Sequence, residues 1–441
     1  MTKSEHASHF RWVVLAAVFV ASVSSCMIMI SFAPLIGVIR DELGISAGTA
    51  SLGFMSLHAI ATAIGCYLCG ILFARYGIFK VLAAAMFILI FSNASLPLFG
   101  HGFWPLVIIR IIEGFGCSAC IVATGPLCAD WFPKKEVGIA NGTQSVGVSL
   151  GMMLGLKLAP TFAHTASSWQ AGLAWLSIGN CVSFTLIVLV GLAARKHMAE
   201  SAQVQAETAA ELGVTGGSLS TYVLTMAFMV GIFCFACGTW TQAAFNDLTP
   251  GYFAIAPPVG VGIGGSMGAM VAGNLFSIVL AAGIIGSILS GLLMDRVFGG
   301  RAKPLILMGF AMIAVCVALL MLPQVLGASQ VSGTRPLLAV CLFLVGMGTP
   351  FVNPMVLAFG AKSFPPNVVP RVIGVWGTVS TMSQGVGVTV GALALKSTGN
   401  YHMSLWIVSM VATLGFIVAL FVPKPKHAAA HAEAEVSATT A

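Results

Sequence analysis

Charge is what this sequence has least of. Asp, Glu, Lys and Arg together make 7% of its 441 residues, while 58% are hydrophobic. A water-soluble domain carries roughly 25% charge. No soluble core could absorb this much apolar surface, so the solvent must be lipid. Long polar stretches are equally scarce: only 195–218 and the tail beyond Pro423 qualify. Strict apolar–polar alternation is missing too, which argues against a transmembrane β-barrel and for helices. No nucleophile–base pair or metal-ligand cluster stands out, so the chain reads as no enzyme and implies no cofactor.

What is present is a series of apolar runs. A span needs roughly 20 mainly apolar residues at about 1.5 Å rise each. Twelve stretches qualify: 12–38, 49–73, 80–99, 104–129, 137–163 and 170–194, then 219–246, 268–294, 303–324, 336–360, 373–396 and 403–422. Most of the 20 Lys and Arg fall on one side when the N-terminus is placed inside; Arg40, Arg335 and Lys396 fall on the other. This asymmetry predicts cytoplasmic termini in a multi-pass protein of the cell's inner (plasma) membrane. It also accounts for the net charge of +7, so no nucleic acid is expected as a partner. Val23-Ser-Ser-Cys26 resembles a lipoprotein processing site, but the apolar run continues past Cys26 and reads as an uncleaved span.

The 11 Cys and 21 Met lie in an apolar setting. Cys66/Cys69, Cys117/Cys120 and Cys234/Cys237 are spaced to share a helix face, which a soft metal could use. Small apolar packing is the reading adopted here.

Two short charged turns stand about half the chain apart. One is Gly70-Ile-Leu-Phe-Ala-Arg75-Tyr-Gly77; the other is Gly291-Leu-Leu-Met-Asp295-Arg296. Trp131-Phe-Pro133 and Ser363-Phe-Pro365 follow in matching order, as do Gly147-Val-Ser-Leu-Gly151 and Gly387-Val-Thr-Val-Gly391. The shared order predicts a parallel repeat of two six-helix bundles. The expected division is 1–194 for the first bundle, 195–218 for a cytoplasmic linker, 219–426 for the second bundle and 427–441 for a disordered tail.

These features together resemble the major facilitator superfamily. The turn after span 2 is similar to that family's Gly-x-Leu-x-Asp-Arg-x-Gly-Arg motif: Gly70, Leu72, Arg75 and Gly77 match, while Ala74 replaces the Asp. The second copy keeps Asp295-Arg296. Arg110-x-x-Glu113-Gly-x-Gly116 resembles the motif of the fourth span. The resemblance implies an all-α membrane protein of 12 transmembrane helices. It also implies that Arg75, Asp295 and Arg296 form a conformational gate that clamps the halves. Gly142, Gly151 and Gly155 are similar to a glycine motif of drug–proton antiporters, but Leu156 and Lys157 stand where that motif is completed.

Ionisable groups inside a bilayer usually mark a pathway. Arg110, Glu113 and Lys157 are the clear cases, with His58 a titratable neighbour in span 2. Arg110 and Lys157 each fall roughly 10 Å outside the centre of their spans at 1.5 Å per residue. Two cations at one depth would favour an anion, and the Arg fork suits a carboxylate. A helix-supporting Arg110–Glu113 pair and a snorkelling Lys157 are the alternatives. Trp240, Gln242, Asn274, Asn353 and Gln384 supply polar groups for substrate binding or for helix–helix bonds. Pro350 and Pro354 are expected to interrupt span 10, and 247–267 to form a long outer segment that gates or merely connects.

The sequence therefore reads as a secondary active transporter moving a small organic anion of carboxylate type by alternating access. Glu113 is the proton-coupling candidate, and protons or an exchanged anion are the partners. The chain is expected to be monomeric. It is similar to the monocarboxylate and oxalate/formate exchangers, although span 8 lacks a basic residue and span 11 has only Lys396. Proton-coupled transport or efflux of a neutral or cationic molecule is the alternative, and a transporter-like membrane sensor a remote one.

Overall fold

Apolar side chains in lipid can be accommodated only where every backbone group is bonded within its own segment, and this chain meets that condition with helices. The computed structural model describes residues 3–123, 127, 131–132, 137–211, 220–326, 335–364 and 368–423. Nine helices in it are long and apolar enough to cross a membrane: α1 (Phe10–Leu43), α2 (Ala47–Phe73), α4 (Phe103–Val122), α5 (Gly142–Thr165), α6 (Trp169–Ala194), α7 (Met226–Ala254), α8 (Gly265–Arg296), α10 (Pro336–Ser363) and α12 (His402–Ala419). The shorter apolar helices α3 (Ile78–Ala94) and α9 (Lys303–Leu319) and the more polar α11 (Val369–Thr398) complete the set of twelve. Both ends of the set emerge on one side, called here the terminal face; the other is the far face.

Helix starts follow local chemistry. Ser46 accepts a hydrogen bond from the Thr49 N–H at 3.1 Å and Thr225 from the Phe228 N–H at 3.3 Å. Each satisfies an amide that has no partner within its helix. The two charged turns use glycines at positive φ, Gly77 at +80° and Gly299 and Gly300 at +56° and +75°. A side chain would be strained there.

The repeat is built into the packing. In the first half α1 packs on α5 and α6, α2 on α4, and α3 on α4 and α6. In the second half α7 packs on α11 and α12, α8 on α10, and α9 on α10 and α12. The matched glycines serve equivalent contacts. Gly147 meets Phe19 and Gly151 meets Val23 in the α1–α5 pair; Gly387 meets Trp240 and Gly391 meets Leu248 in the α7–α11 pair.

Between the halves, α1 meets α7, α2 meets α11 and α5 meets α8. These crossings are close because glycines stand at them. A Cβ on Gly48 of α2 would collide with the Lys396 backbone of α11, and one on Gly273 of α8 with the Leu156 carbonyl of α5. Gly251 of α7 faces Ile36 of α1, and Gly37 of α1 faces Ile255. All of these contacts lie toward the far face. At the terminal ends of the same helices Leu72 of α2, Tyr76 just beyond it, Val375 of α11 and Leu292 of α8 are exposed. Gly142, Gly291, Gly374 and Gly377 have nothing within 4 Å of a Cβ position. Among the described residues the close contacts between the halves therefore lie toward the far face, while these terminal-end positions are exposed.

Several expectations are corrected. Span 10 is not interrupted: α10 runs unbroken with Pro350 and Pro354 inside it. Pro350 lies against Gly286 of α8, and Gly346 and Gly348 seat the helix on α8 and α9. That packing holds the helical path despite two missing donors. Instead α1 breaks at Ser31, between helical segments Lys3–Ile30 and Phe32–Leu43, three residues before Pro34. Span 2 contains a π-helical turn, Leu52–Ser56. The last helix of the first half continues to Glu211, so part of the expected linker is helical, as its composition allows. Helix α7 extends past 246 to Ala254 with Pro250 inside. Beyond it, 255–267 folds back: Val261 and Ile263 donate to the Tyr252 and Phe253 carbonyls at 2.8 and 2.7 Å, and Tyr401 donates to Val259 at 3.1 Å. The expected tail, 427–441, lies outside the described residues.

Candidate functional site

Arg110 on α4 is completely buried. A guanidinium in an apolar interior must be surrounded by acceptors, and local helix defects supply two of them. Its Nε donates to the Phe54 carbonyl at 2.8 Å and one terminal nitrogen to the Met29 carbonyl at 3.1 Å. Phe54 lies in the π-turn of α2, where the regular ladder is interrupted. Met29 lies at the break in α1, next to Ile30, whose carbonyl Pro34 cannot serve. The third acceptor is Glu113 Oε2 at 2.6 Å, one turn along α4. The Phe32 ring covers the guanidinium carbon at 4.3 Å. Three of the five N–H donors are therefore engaged, and two have no partner among the described residues.

Glu113 is as buried as Arg110, and its Oε1 has no hydrogen-bond partner among the described residues. His58 on α2 is 4% exposed, lies within electrostatic reach of Arg110, and has an unpartnered Nε2. The structure thus brings Arg110, Glu113 and His58 together. It does not bring Lys157 to them: that side chain is exposed on α5. Lys157 and the exposed Asn274 flank the α5–α8 crossing, where Gly273 meets Leu156.

The polar candidates of the second half form a separate group. Asn353 of α10 donates from Nδ2 to Gln242 Oε1 of α7 at 2.8 Å. Asn353 Oδ1 is unpartnered beside Gly238. Trp240 is buried with its ring against Gly387. Gln384 is half-buried next to Gly385, where α11 approaches Ala59 and Ile60 of α2. Gln384 therefore stands near the level of His58. At the terminal face Arg75, Asp295 and Arg296 are all exposed. Arg75 stacks over Tyr76 at 5.3 Å, and Asp295 has no ion pair among the described residues. The second turn is held instead by Lys362, which donates to the Gly300 carbonyl at 2.9 Å, and by Lys303, which donates to Leu420 at 2.7 Å.

One functional candidate was not read from the sequence. Asp247 on α7 lies within electrostatic reach of Arg110, and it comes from the other half. Its signal was a single carboxylate, beside Asn246, at the end of a largely apolar stretch, Phe245-Asn-Asp247-Leu. The far ends of the first half are also tied together. Glu42 at the end of α1 accepts from Gln170 Nε2 at 2.8 Å and from the Trp169 indole, both at the start of α6.

Comparison with known proteins bears on this arrangement. The chain is 30% identical over 154 residues to a hexuronate transporter of Bacillus subtilis, covering 35% of this chain and 33% of that protein. It is 25% identical over 374 residues to an Arabidopsis thaliana protein named probable anion transporter 6, chloroplastic, covering 82% and 69%. A Campylobacter jejuni protein described as uncharacterized is 23% identical over 213 residues, 48% of this chain and 65% of that one. The chain thus spans a third of the hexuronate transporter and just under two thirds of the Campylobacter protein. Its fold matches the crystal structure of a D-xylose–proton symporter with a TM-score of 0.72 at 16% identity, over 94% of this chain and 99% of that one. The Major Facilitator Superfamily model matches residues 18–331 and 252–440. With that match over nearly the whole length and the described helices packed as a repeat, the chain belongs to the major facilitator superfamily.

Proposed function

We propose that the protein carries a small organic anion of carboxylate type across the membrane by alternating access, driven by proton coupling or exchange. The observation that carries this reading is Arg110, a fixed cation inside the helices with two unused N–H donors. One unused donor on each terminal nitrogen is the fork that grips a carboxylate at two points. The hexuronate and anion transporters among the relatives support the substrate class. Lys157, Asn274, Trp240, Gln242, Asn353, Gln384 and His58 are the groups an entering ligand would meet or displace. Both termini are placed in the cytoplasm, with the bundles and linker divided near 194 and 219 and the carrier acting as a monomer in the inner membrane. Arg75, Asp295 and Arg296 then form a cytoplasmic latch. Among the described residues they have no ion pair across the halves.

The test is uptake into proteoliposomes of carboxylates, neutral sugars and cationic dyes, with and without a pH gradient. Carboxylate uptake is expected. Arg110→Gln in a Glu113→Gln background abolishes it while the protein remains folded, and Lys157→Gln weakens it. Normal carboxylate flux in both variants would exclude the site, and transport of no anion by the wild type would exclude the substrate class. A second reading, proton-coupled movement of a neutral or cationic molecule, is favoured by one observation: Asp247 and Glu113 place two carboxylates near one guanidinium.

A further inference from the structure

A residue that links proton movement to alternating access must satisfy two conditions. Water must reach it, and its surroundings must change when the halves move. Glu113 meets neither. It is completely buried, and its partner Arg110 lies on the same helix, so their bond persists however the halves rock.

Asp247 meets both. Gly251, one turn further along α7, faces Ile36 of α1 at 2.9 Å from the Cβ position. Both helices run toward the far face, so one turn back brings Asp247 level with Phe32. Phe32 is the ring that covers Arg110, and the Arg110 charge acts on Asp247. The link therefore crosses from one half to the other. Asp247 is also partly exposed, as is Ala243 one turn back; Thr239 and Trp240 are buried in the next turn, and Ala236 and Ile232 are partly exposed beyond it. Partial exposure thus resumes on the terminal-face side of that buried turn.

Charge balance supplies the reason for a proton. One guanidinium faces two carboxylates, and Glu113 already occupies it at 2.6 Å. A second carboxylate in such a site is left with unbalanced charge unless it takes up a proton. Among the described residues no other charge acts on it. Helix α7 packs against α1, α8, α10, α11 and α12. Arg40, Asp41 and Glu42 of α1, Lys396 of α11 and His402 of α12 stand at its far end, where His402 lies on Tyr252. Asp295, Arg296 and Lys362 of α8 and α10 stand at the terminal end. His58 lies beside Arg110 on the opposite side of the cluster.

We infer that Asp247, not Glu113, is the proton-linked carboxylate of the transport cycle and the cross-half partner of Arg110. In this conformation its carboxylate exchanges a proton with water on the terminal side. When the far face opens, α7 leaves α1, Asp247 separates from Arg110, and the same oxygen exchanges its proton with water on the far side.

This inference rests on the proton-coupled form of the proposed function, and two measurements separate their failures. In proteoliposomes, D-glucuronate and D-galacturonate serve as probes for pH-gradient-driven uptake and for exchange at equal pH. Asp247→Asn is expected to lower gradient-driven accumulation by about tenfold or more, roughly 1.4 kcal/mol of lost coupling, with a smaller effect on exchange. Retained accumulation, or equal loss of both activities in a folded variant, would overturn the inference and leave the anion reading standing. The second measurement needs no substrate. Spin labels at Asp41→Cys and Thr398→Cys, with Cys128 and Cys181 replaced by Ser, report the far-face distance in lipid nanodiscs. The wild-type background is expected to shift its distance distribution between mildly acidic and mildly alkaline buffer, and Asp247→Asn to hold one distribution at both. A pH shift that survives Asp247→Asn, or is lost only in Glu113→Gln, would overturn the inference even if neither probe is transported.

Discussion

Arg110 is tolerated inside the bilayer because two backbone carbonyls and one carboxylate surround it. Removing the cation leaves Glu113 buried and unpaired, which typically costs about 3–5 kcal/mol. Arg110→Gln alone is therefore expected to lower thermal stability in detergent strongly, and adding Glu113→Gln to restore most of it. Equal melting temperatures for the wild type and the single variant would contradict this account. His58, Arg110 and Glu113 were legible in the sequence because an ionisable residue inside an apolar run is rare for a physical reason. Asp247 was not. The seventh apolar stretch reads as ending at 246, which places Asp247 in the outer segment. Packing of α7 against α1, α11 and α12 carries the helix four residues past Pro250 to Ala254. Local rules could not supply those contacts.

At the scale of elements, helix existence was legible and helix irregularity was not. The two prolines of α10 leave it continuous, whereas α1 and α2 are interrupted where their carbonyls serve Arg110. The difference is tertiary: an interruption persists where a buried donor uses the freed group. Pro34→Ala is expected to favour a regular α1, withdraw the Met29 carbonyl from Arg110 and lower the transport rate. Transport and stability measured together would show it; an unchanged rate would mean that the break has another cause. The cross-half crossings make a second prediction. Gly48→Leu and Gly273→Val place side chains where the Lys396 backbone and the Leu156 carbonyl stand. Neither backbone can yield, so both variants are expected to hold the far face open. Far-face spin-label distances would lengthen; unchanged distances would contradict the tight crossing.

Across the whole molecule the two halves are equivalent in packing and unequal in chemistry. The fully buried charge belongs to α4 in the first half, while the acidic member of the terminal-face turns belongs to α8 in the second. Asp295 is exposed and unpaired among the described residues. Asp295→Asn is therefore expected to change the stability of this conformation by no more than about 0.5 kcal/mol. Its effect falls on the opposite conformation, in which the terminal faces of the halves would meet. Substrate exchange in proteoliposomes would slow while the melting temperature stays constant. A large loss of stability would place Asp295 in a contact of the present state. One further consequence comes from Glu42. The break at Ser31 would let the outer segment of α1 bend on its own, but Glu42 fastens that segment to Gln170 and Trp169 of its own half. The segment cannot follow α7 when the halves part. Opening of the far face is then a single event rather than a graded one, and its kinetics should show one relaxation with no intermediate in which only the α1–α7 contact has been lost.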